Sequence, residues 1–287
     1  MDTRIEKTTI IDHLREGALY LAERGVDDPR TEADLLLAHS LRISRDRLYL
    51  EREGTLTSIQ ADRFMELLEQ RGKREPLAYL VKTREFMGLD FYVDRRVLIP
   101  RPETEMLIEK LIELAEKRAG KDKEYSLLDL GTGSGVMAIA AARYIAGVKI
   151  TAVDISEDAL TVARQNAVKH GVEIDFRQGD LFTPVANQKF DWILTNPPYV
   201  SLPEMEDCSP EVLREPHLAL CGGEDGLEIY RRLAAQAGDF LHPGGKLLAE
   251  IGSAQAPAVC KLFAEKGYST KVFNDLAGLN RMILVEG

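Results

Sequence analysis

Residues 126–135 read Ser126-Leu127-Leu128-Asp129-Leu130-Gly131-Thr132-Gly133-Ser134-Gly135, and their reading decides the fold. The first half is a short apolar run of strand type, and the second is a loop in which every other residue is glycine. Helical spacing then runs from Val136 to Ile145. Glycine at 131, 133 and 135 lets the backbone turn sharply and lets a ligand approach it closely. A strand that enters a helix through such a loop is the opening unit of an α/β domain.

Outward from this unit the alternation repeats. Helix Glu105–Lys117 precedes strand Ser126–Leu130, and strand Lys149–Val153, helix Glu157–His170, strand Glu173–Arg177 and strand Asp191–Leu194 follow. Beyond a long segment, Val200–Gly226, come helix Leu227–Leu241, strand Lys246–Ile251, helix Ala254–Lys266 and strand Ser269–Phe273. The last run, Arg281–Val285, has no helix before it. It is expected to pair antiparallel with the strand before it, at one edge of an otherwise parallel sheet. The expected class is therefore α/β, a Rossmann-like sheet with an antiparallel edge strand. Ligands of such sheets bind at the carboxyl ends of the strands, where the chemically distinctive residues of this chain fall.

Residues 1–75 read as helices. Thr8 or Thr9 caps one whose apolar face is Ile11, Leu14, Ala18 and Leu21, and Asp28-Pro29 opens a second with Ala33, Leu36 and Leu37 inward. Ser44 opens a third through Leu48 and Leu50, and Thr57 caps a fourth with Phe64, Leu67 and Leu68 inside. Nothing here carries catalytic chemistry, so a small bundle that docks the substrate is expected. Pro76 is expected to end the helices, and residues 76–102 to form a connector. In it Glu85-Phe86-Met87 and Leu89, Phe91 and Val93 alternate about Gly88 as a β-hairpin, and proline on both sides of Arg101 stiffens Leu98–Glu105. Residues 103–287 form the remaining, α/β, domain.

Of the 287 residues 45% are hydrophobic and 29% charged, the balance of an ordinary globular chain. A formal net charge of −10 argues against a surface that wraps nucleic acid. Cys208, Cys221 and Cys260 show no metal-ligand spacing, so no metal is expected and a reducing cytoplasm is. Met1–Lys7 mixes charges without the apolar core of a signal peptide, and no run reaches the ~20 apolar residues of a membrane span.

The glycine spacing identifies a class of cofactor. A dinucleotide fold expects G-x-G-x-x-G, whereas this loop is G-x-G-x-G with an acid two residues upstream. Asp129 suits a cationic amino group better than a pyrophosphate. Asp154 ends the second strand, where an acid grips ribose hydroxyls, and Asp180-Leu181 after Gly179 suits an adenine amino group and ring face. Three acids around one pocket repel a triphosphate and suit a sulfonium carrying an α-amino group, which points to S-adenosylmethionine. The expected cofactor contacts are Asp129, Gly131, Thr132, Gly133, Ser134, Gly135, Asp154, Ile155, Asp180, Leu181 and Asn196.

A second stretch, Asp191–Val200, reads as a buried strand stopped by Pro197-Pro198. It leaves Asn196, a stiff corner and Tyr199 at the strand's end. By themselves these residues are either a proline turn or a corner that grips a planar NH₂ group from one edge.

Beside the glycine loop, Asn196-Pro197-Pro198-Tyr199 resembles the motif shared by S-adenosylmethionine-dependent amino methyltransferases of DNA adenine, RNA bases and protein glutamine. Leu98–Glu105, with its Ile-Pro-Arg-Pro-Glu-Thr-Glu core, resembles the signature of the release-factor glutamine methyltransferases, the PrmC/HemK family. So do Glu215-Pro216 with Ala219-Leu220, Gly222–Leu227 with Tyr230, Glu250-Ile251-Gly252 with Gln255, and Asp275, Gly278 and Arg281. Arg214 departs from it, where an aromatic is expected. The resemblance runs from about Pro76 to the C-terminus. It implies methylation of the side-chain amide nitrogen of the glutamine in the Gly-Gly-Gln motif of peptide chain release factors. Asn196 and the Pro197 carbonyl would accept the two amide N–H bonds, Tyr199 would pack over the amide, Pro198 would stiffen the corner, and Arg101 and Glu103 would join the substrate site. A monomeric, cytoplasmic enzyme is expected, with release factors as partners and neither membrane nor nucleic acid among them. The competing readings are a DNA or RNA adenine methyltransferase, which acids outnumbering bases 47 to 37 disfavour, a module that only senses S-adenosylmethionine, and a nicotinamide dehydrogenase.

Overall fold

The computed structural model describes residues 8–117 and 124–287; the Met1–Lys7 stretch, on which the signal-peptide expectation bears, lies outside them. The chain forms two compact units, one reaching to Lys82 and including Pro210–Arg214, the other made of Thr83–Ser209 and Glu215–Gly287.

The first unit is helical. Thr9 opens α1 (Ile10–Ala22) through a capping box with Asp12, whose carboxylate accepts the Thr9 N–H at 2.9 Å. Asp28 caps α2 (Pro29–Leu41), Ser44 caps α3 (Arg45–Leu50), and Thr57 with Gln60 caps α4 (Ser58–Gly72). Pro76 does not end the helices. Its carbonyl accepts the N–H groups of Tyr79 and Leu80 and so starts α5 (Leu77–Val81), a position where a missing proline N–H leaves nothing unpaired. The buried face of α1 is Ile10, Leu14, Gly17 and Leu21, with Ala18 packed against the same core and Ile11 outside it. Gly17 is where the Phe64 ring comes in: a Cβ there would lie 2.9 Å from Phe64 Cζ. Leu36, Leu37, Leu48 and Phe64 are fully buried, whereas Leu50 is exposed. Arg71 of α4 is buried between Glu32 and Glu211, the latter at 2.8 Å, and Arg74 also reaches Glu211. Arg214 donates to the Lys73 carbonyl at 2.6 Å, so a polar seat within this unit takes it where an aromatic was expected.

The second unit begins with a hairpin, β1 (Arg84–Phe86) and β2 (Leu89–Phe91), turning on Met87-Gly88, both with positive φ. Then come α6 (Glu105–Lys117), β3 (Tyr125–Leu130), α7 (Val136–Tyr144), β4 (Val148–Asp154), α8 (Glu157–His170), β5 (Asp175–Gln178) and β6 (Phe190–Thr195). The long segment after β6 carries two short helices, α9 (Leu202–Met205) and α10 (His217–Leu220). The chain finishes with α11 (Glu228–Phe240), β7 (Leu241–Glu250), α12 (Ala256–Ala264), β8 (Ser269–Asn274) and β9 (Asn280–Glu286).

The sheet has the order β5-β4-β3-β6-β7-β9-β8, parallel from β5 to β7. Side chains alternate between its faces. Leu127, Trp192, Leu194, Leu248 and Leu284 pack with α6 and α7, while Leu128, Ile193, Leu247, Ala249 and Ile283 pack with α11 and α12. The last strand is antiparallel to its sequence predecessor, but it does not occupy the edge. It inserts between β7 and β8 and pairs antiparallel with both. Burial explains the placement: Met282, Ile283, Leu284 and Val285 form a run apolar on both faces, whereas β8 carries exposed Ser269 and Lys271. The former suits a sheet interior and the latter an edge.

Candidate active site

Leu130 pairs with Thr195, so β3 and β6 end side by side and release Gly131 and Asn196 next to each other. Strand order reverses between these two strands, the place where open α/β sheets bind ligands. A cleft of about 360 Å³ lies here, within the range of small-molecule sites.

Of the residues expected at the cofactor, Gly131, Gly133, Asp154, Ile155, Asp180, Leu181 and Asn196 line this cleft. Gly131 and Gly133 have φ of 72° and 55°, and a Cβ at either would meet no atom closer than 4.0 Å. The loop thus leaves open room for a ligand on its backbone. Asp154 ends β4 and accepts the Gly133 N–H at 2.8 Å and the Ser156 N–H at 2.9 Å. Burial raises its carboxyl above the ordinary value. Asp180 is exposed and paired with Arg232 at 2.7 Å.

Asp129, Thr132, Ser134 and Gly135 lie behind the loop. Asp129 is fully buried; its Oδ2 accepts the Thr132 hydroxyl at 2.7 Å and the Ala138 N–H at 3.2 Å, while Oδ1 has no partner. Burial, opposed by those two hydrogen bonds, pushes the Asp129 carboxyl up to about 7. The Ser134 carbonyl accepts Asn166 Nδ2 at 2.9 Å. These residues shape the loop from beneath; of the three acids expected at the cofactor, Asp154 and Asp180 reach the cleft wall and Asp129 does not.

The corner after β6 is tied down from several elements. Asn196 Nδ2 donates to Thr104 Oγ1 at 3.1 Å, and that hydroxyl donates to Glu250 Oε2 at 2.6 Å. Thr104 precedes α6 and Glu250 ends β7, the strand beside β6. Glu250 is 1% exposed, and burial raises its carboxyl. The Tyr199 hydroxyl donates to the other oxygen of Glu250 at 3.1 Å, and burial followed by the Glu250 charge raises its phenol. Pro197 and Pro198 line the cleft; Tyr199 does not, and packs into the core instead. Gln255 Nε2 donates to the Tyr199 carbonyl at 2.9 Å. Gly222 permits the next layer: a Cβ there would lie 2.7 Å from the Pro198 carbonyl oxygen, so only glycine lets residues 220–222 lie along Val200.

Arg101 is not a free guanidinium. It pairs with buried Glu215 at 2.5 Å, whose second oxygen accepts the Ile99 N–H at 2.9 Å. The proline-flanked segment and the Glu215-Pro216 segment are therefore two halves of one structure. Glu103 is half-buried and lies near enough to Glu250 for its charge to raise that carboxyl further. Sequence reasoning gave no role to Thr104 or Glu250. Glu250 carried a signal: it is an acid within the apolar run Leu247-Leu248-Ala249-Glu250-Ile251. It also passed over Arg96, Ala219 and Cys221, which line the cleft. Arg96 is held by Asp94 at 2.7 Å, and this pairing lowers the Asp94 carboxyl to about 2.

A Rossmann-like sheet with an acid-walled cleft at its switch point and an amide at the neighbouring strand end defines an S-adenosylmethionine-dependent methyltransferase. Residues 103–215 match the family described as the methyltransferase small domain, and residues 12–81 that described as the PrmC N-terminal domain. The chain is 38% identical over 266 residues to a release factor glutamine methyltransferase of Geobacter sulfurreducens, covering 92% of each. It is 40% identical over 280 residues to one of Moorella thermoacetica, covering 96% of this chain and 98% of that one. Among solved structures, a methyltransferase from Pyrococcus furiosus aligns with a TM-score of 0.52 at 22% identity, over 79% of this chain and 98% of that one, a likeness of fold. The chain belongs to the release factor glutamine methyltransferase family.

Proposed function

We propose that Asn196 and the corner behind it hold the glutamine side chain of a peptide chain release factor for N5-methylation. The family supplies the reaction class, since its members are named release factor glutamine methyltransferases; the resemblance implies that a methyl group passes from S-adenosylmethionine to the side-chain amide nitrogen of the glutamine in the Gly-Gly-Gln motif, leaving S-adenosylhomocysteine. The observation that carries the site is the Asn196 amide, held at the end of β6 by a hydrogen bond from its Nδ2 and placed beside the glycine loop.

The cleft fits the cofactor. Gly131 and Gly133 would carry it on their backbone, Asp154 would accept from its ribose hydroxyls, and Asp180 and Leu181 would meet its adenine. When bound it supplies an electrophilic methyl group on a sulfonium. The residues of the chain do the rest. An amide nitrogen is a poor nucleophile because its lone pair is delocalised into the carbonyl. Asn196 Oδ1 and the Pro197 carbonyl accept its two N–H bonds, orient the lone pair and favour partial pyramidalisation, and one of those two protons leaves to solvent once the nitrogen carries the methyl group. Pro198 stiffens the corner. Tyr199, bonded to Glu250, braces the corner from the core side instead of covering the amide. Arg101, tied to Glu215, holds the wall of the site together. The helical unit is the docking surface for the remainder of the release factor, in keeping with its lack of catalytic residues. The net charge of −10 supports a protein substrate over nucleic acid and a monomer that stays in solution. Among the described residues no helix is long and apolar enough to cross a membrane, and all three cysteines are free, which supports a cytoplasmic setting.

The test offers labelled S-adenosylmethionine with an intact release factor, with a release factor whose motif glutamine is replaced by alanine, and with duplex DNA. Label is expected in the intact release factor alone; label in DNA would overturn the assignment. Asn196→Ala should lower kcat about 10²–10³-fold, the scale of losing one oriented hydrogen-bonding group at a reacting centre, with cofactor affinity kept.

A further inference from the structure

We infer that Thr104 and Glu250 are positioning residues that decide which end of the Asn196 amide faces the substrate. The inference rests on the reading of Asn196 as the group that grips the target nitrogen. An asparagine amide has two ends of nearly the same shape and opposite hydrogen-bonding character. With Oδ1 turned to the substrate, Asn196 accepts an N–H of the glutamine amide. With Nδ2 turned there, two NH₂ groups face each other and the grip is lost.

Nothing in the Asn-Pro-Pro-Tyr corner makes that choice locally; Glu250 makes it from the neighbouring strand. A carboxylate only accepts hydrogen bonds. The Thr104 hydroxyl lies 2.6 Å from one of its oxygens and the Tyr199 hydroxyl 3.1 Å from the other, so both hydroxyl protons point at Glu250. The Thr104 oxygen, its proton so committed, is left as an acceptor. Asn196 approaches it to 3.1 Å and can meet it only with Nδ2. Oδ1 is thereby the end left for the substrate. Tyr230 fixes the end of β7 by donating to the Glu250 carbonyl at 2.6 Å. The fold alone has little use for this acid: continuing Leu247-Leu248-Ala249 with an apolar residue would avoid burying a carboxylate at 1% exposure. The same arrangement links the two polar members of the motif, Asn196 and Tyr199, through one carboxylate.

The test uses the full-length protein with a release factor and S-adenosylmethionine, and compares Thr104→Val, Thr104→Ser, Asn196→Ala and the double variant Thr104→Val/Asn196→Ala. Thr104→Val keeps the shape and removes the hydroxyl. It should lower kcat by about tenfold or more, the scale of one hydrogen bond to a charged network, while KM for the release factor and affinity for S-adenosylmethionine stay within about twofold. Thr104→Ser, which restores the hydroxyl, should return kcat to near the parent value. In the Asn196→Ala background Thr104→Val should add nothing, because the group it orients is gone. If Asn196→Ala is disabled and Thr104→Val turns over normally, the inference fails and the reading of Asn196 stands. If Asn196→Ala itself turns over normally, that reading fails and takes the inference with it. A Thr104→Ser variant as slow as Thr104→Val would also overturn the inference, since shape would then be the cause. Should Thr104→Val not fold, Glu250→Gln, in which one end of the side chain becomes a donor, decides instead. Lowered kcat at unchanged KM supports the inference, and unchanged kcat overturns it.

Discussion

In the helical unit Arg71 is buried against Glu32 and Glu211, and Asp34 meets Arg45 at 2.9 Å and the Tyr49 hydroxyl at 2.5 Å. In the methyltransferase unit Asp129, Asp154 and Glu250 are buried too, but among the described residues none of the three forms an ion pair. Their partners are hydroxyls and backbone N–H groups. Each sits at the carboxyl end of a strand or beside it, facing the region where β3, β4, β6 and β7 finish. A buried charge neutralised by its opposite is an element of packing. A buried carboxylate given only neutral donors has a raised ionisation and a fixed direction, and that combination marks a site.

The largest effect that would test this contrast is in the helical unit. Arg71→Met leaves Glu32 and Glu211 without the buried guanidinium, and the loss of one partner of a buried pair costs about 3–5 kcal/mol. Urea denaturation should show that loss, with S-adenosylmethionine affinity of the folded protein unchanged. An unaltered unfolding midpoint would mean that the paired charges there are as dispensable as surface ones.

Next is Asp129. Its carboxyl, raised to about 7 by burial, holds its proton more tightly in the folded state than in the unfolded one. That contribution to stability is full below the unfolded value near 4 and declines as pH rises toward 7, by on the order of a few kcal/mol. Asp129→Asn should remove this decline. The difference between parent and variant midpoints, measured from pH 4 to 8, checks it; parallel curves would show that burial does not raise the Asp129 ionisation above its unfolded value.

The smallest effect concerns Glu250, whose raised ionisation is felt by turnover. It is faced by Thr104 and Tyr199, by Tyr230, by the positive charge of Arg281 and by Glu103. If the carboxylate form orients Asn196, kcat falls as pH drops through an ionisation above the ordinary glutamate value. Glu250→Gln should lower kcat by about tenfold, or 1.4 kcal/mol, and abolish that acidic limb. A limb that persists in the variant belongs to another group.

Sequence alone determined the elements that local rules govern. Capping residues Thr9, Asp28, Ser44 and Thr57 started their helices where they stand in the chain. Helix Glu157–His170 was readable to the residue, because period, caps and charge agree there, and so was the start of the helix at Glu105. The glycine loop and the Pro197-Pro198 corner were readable because φ restrictions act within a few residues. Two local misreadings, Pro76 as a stop and Ile11 as core, came from rules that fit either outcome: proline tolerates a helix start as readily as a helix end.

What only the tertiary structure decided was long-range. The insertion of β9 between β7 and β8 depends on which strand buries both faces. The bond from Asn196 to Thr104 spans 92 residues, that from Thr104 to Glu250 spans 146, and that from Arg101 to Glu215 spans 114. A hydrogen bond between residues so far apart leaves no period or spacing in the chain. The sequence therefore showed that Asn196 stands at the end of a strand, and the pairing of β3 with β6 set it beside the glycine loop. The packing of β6, β7 and the turn before α6 decided which end of its amide faces outward, because that choice is made by donors and acceptors that meet only when the sheet has formed.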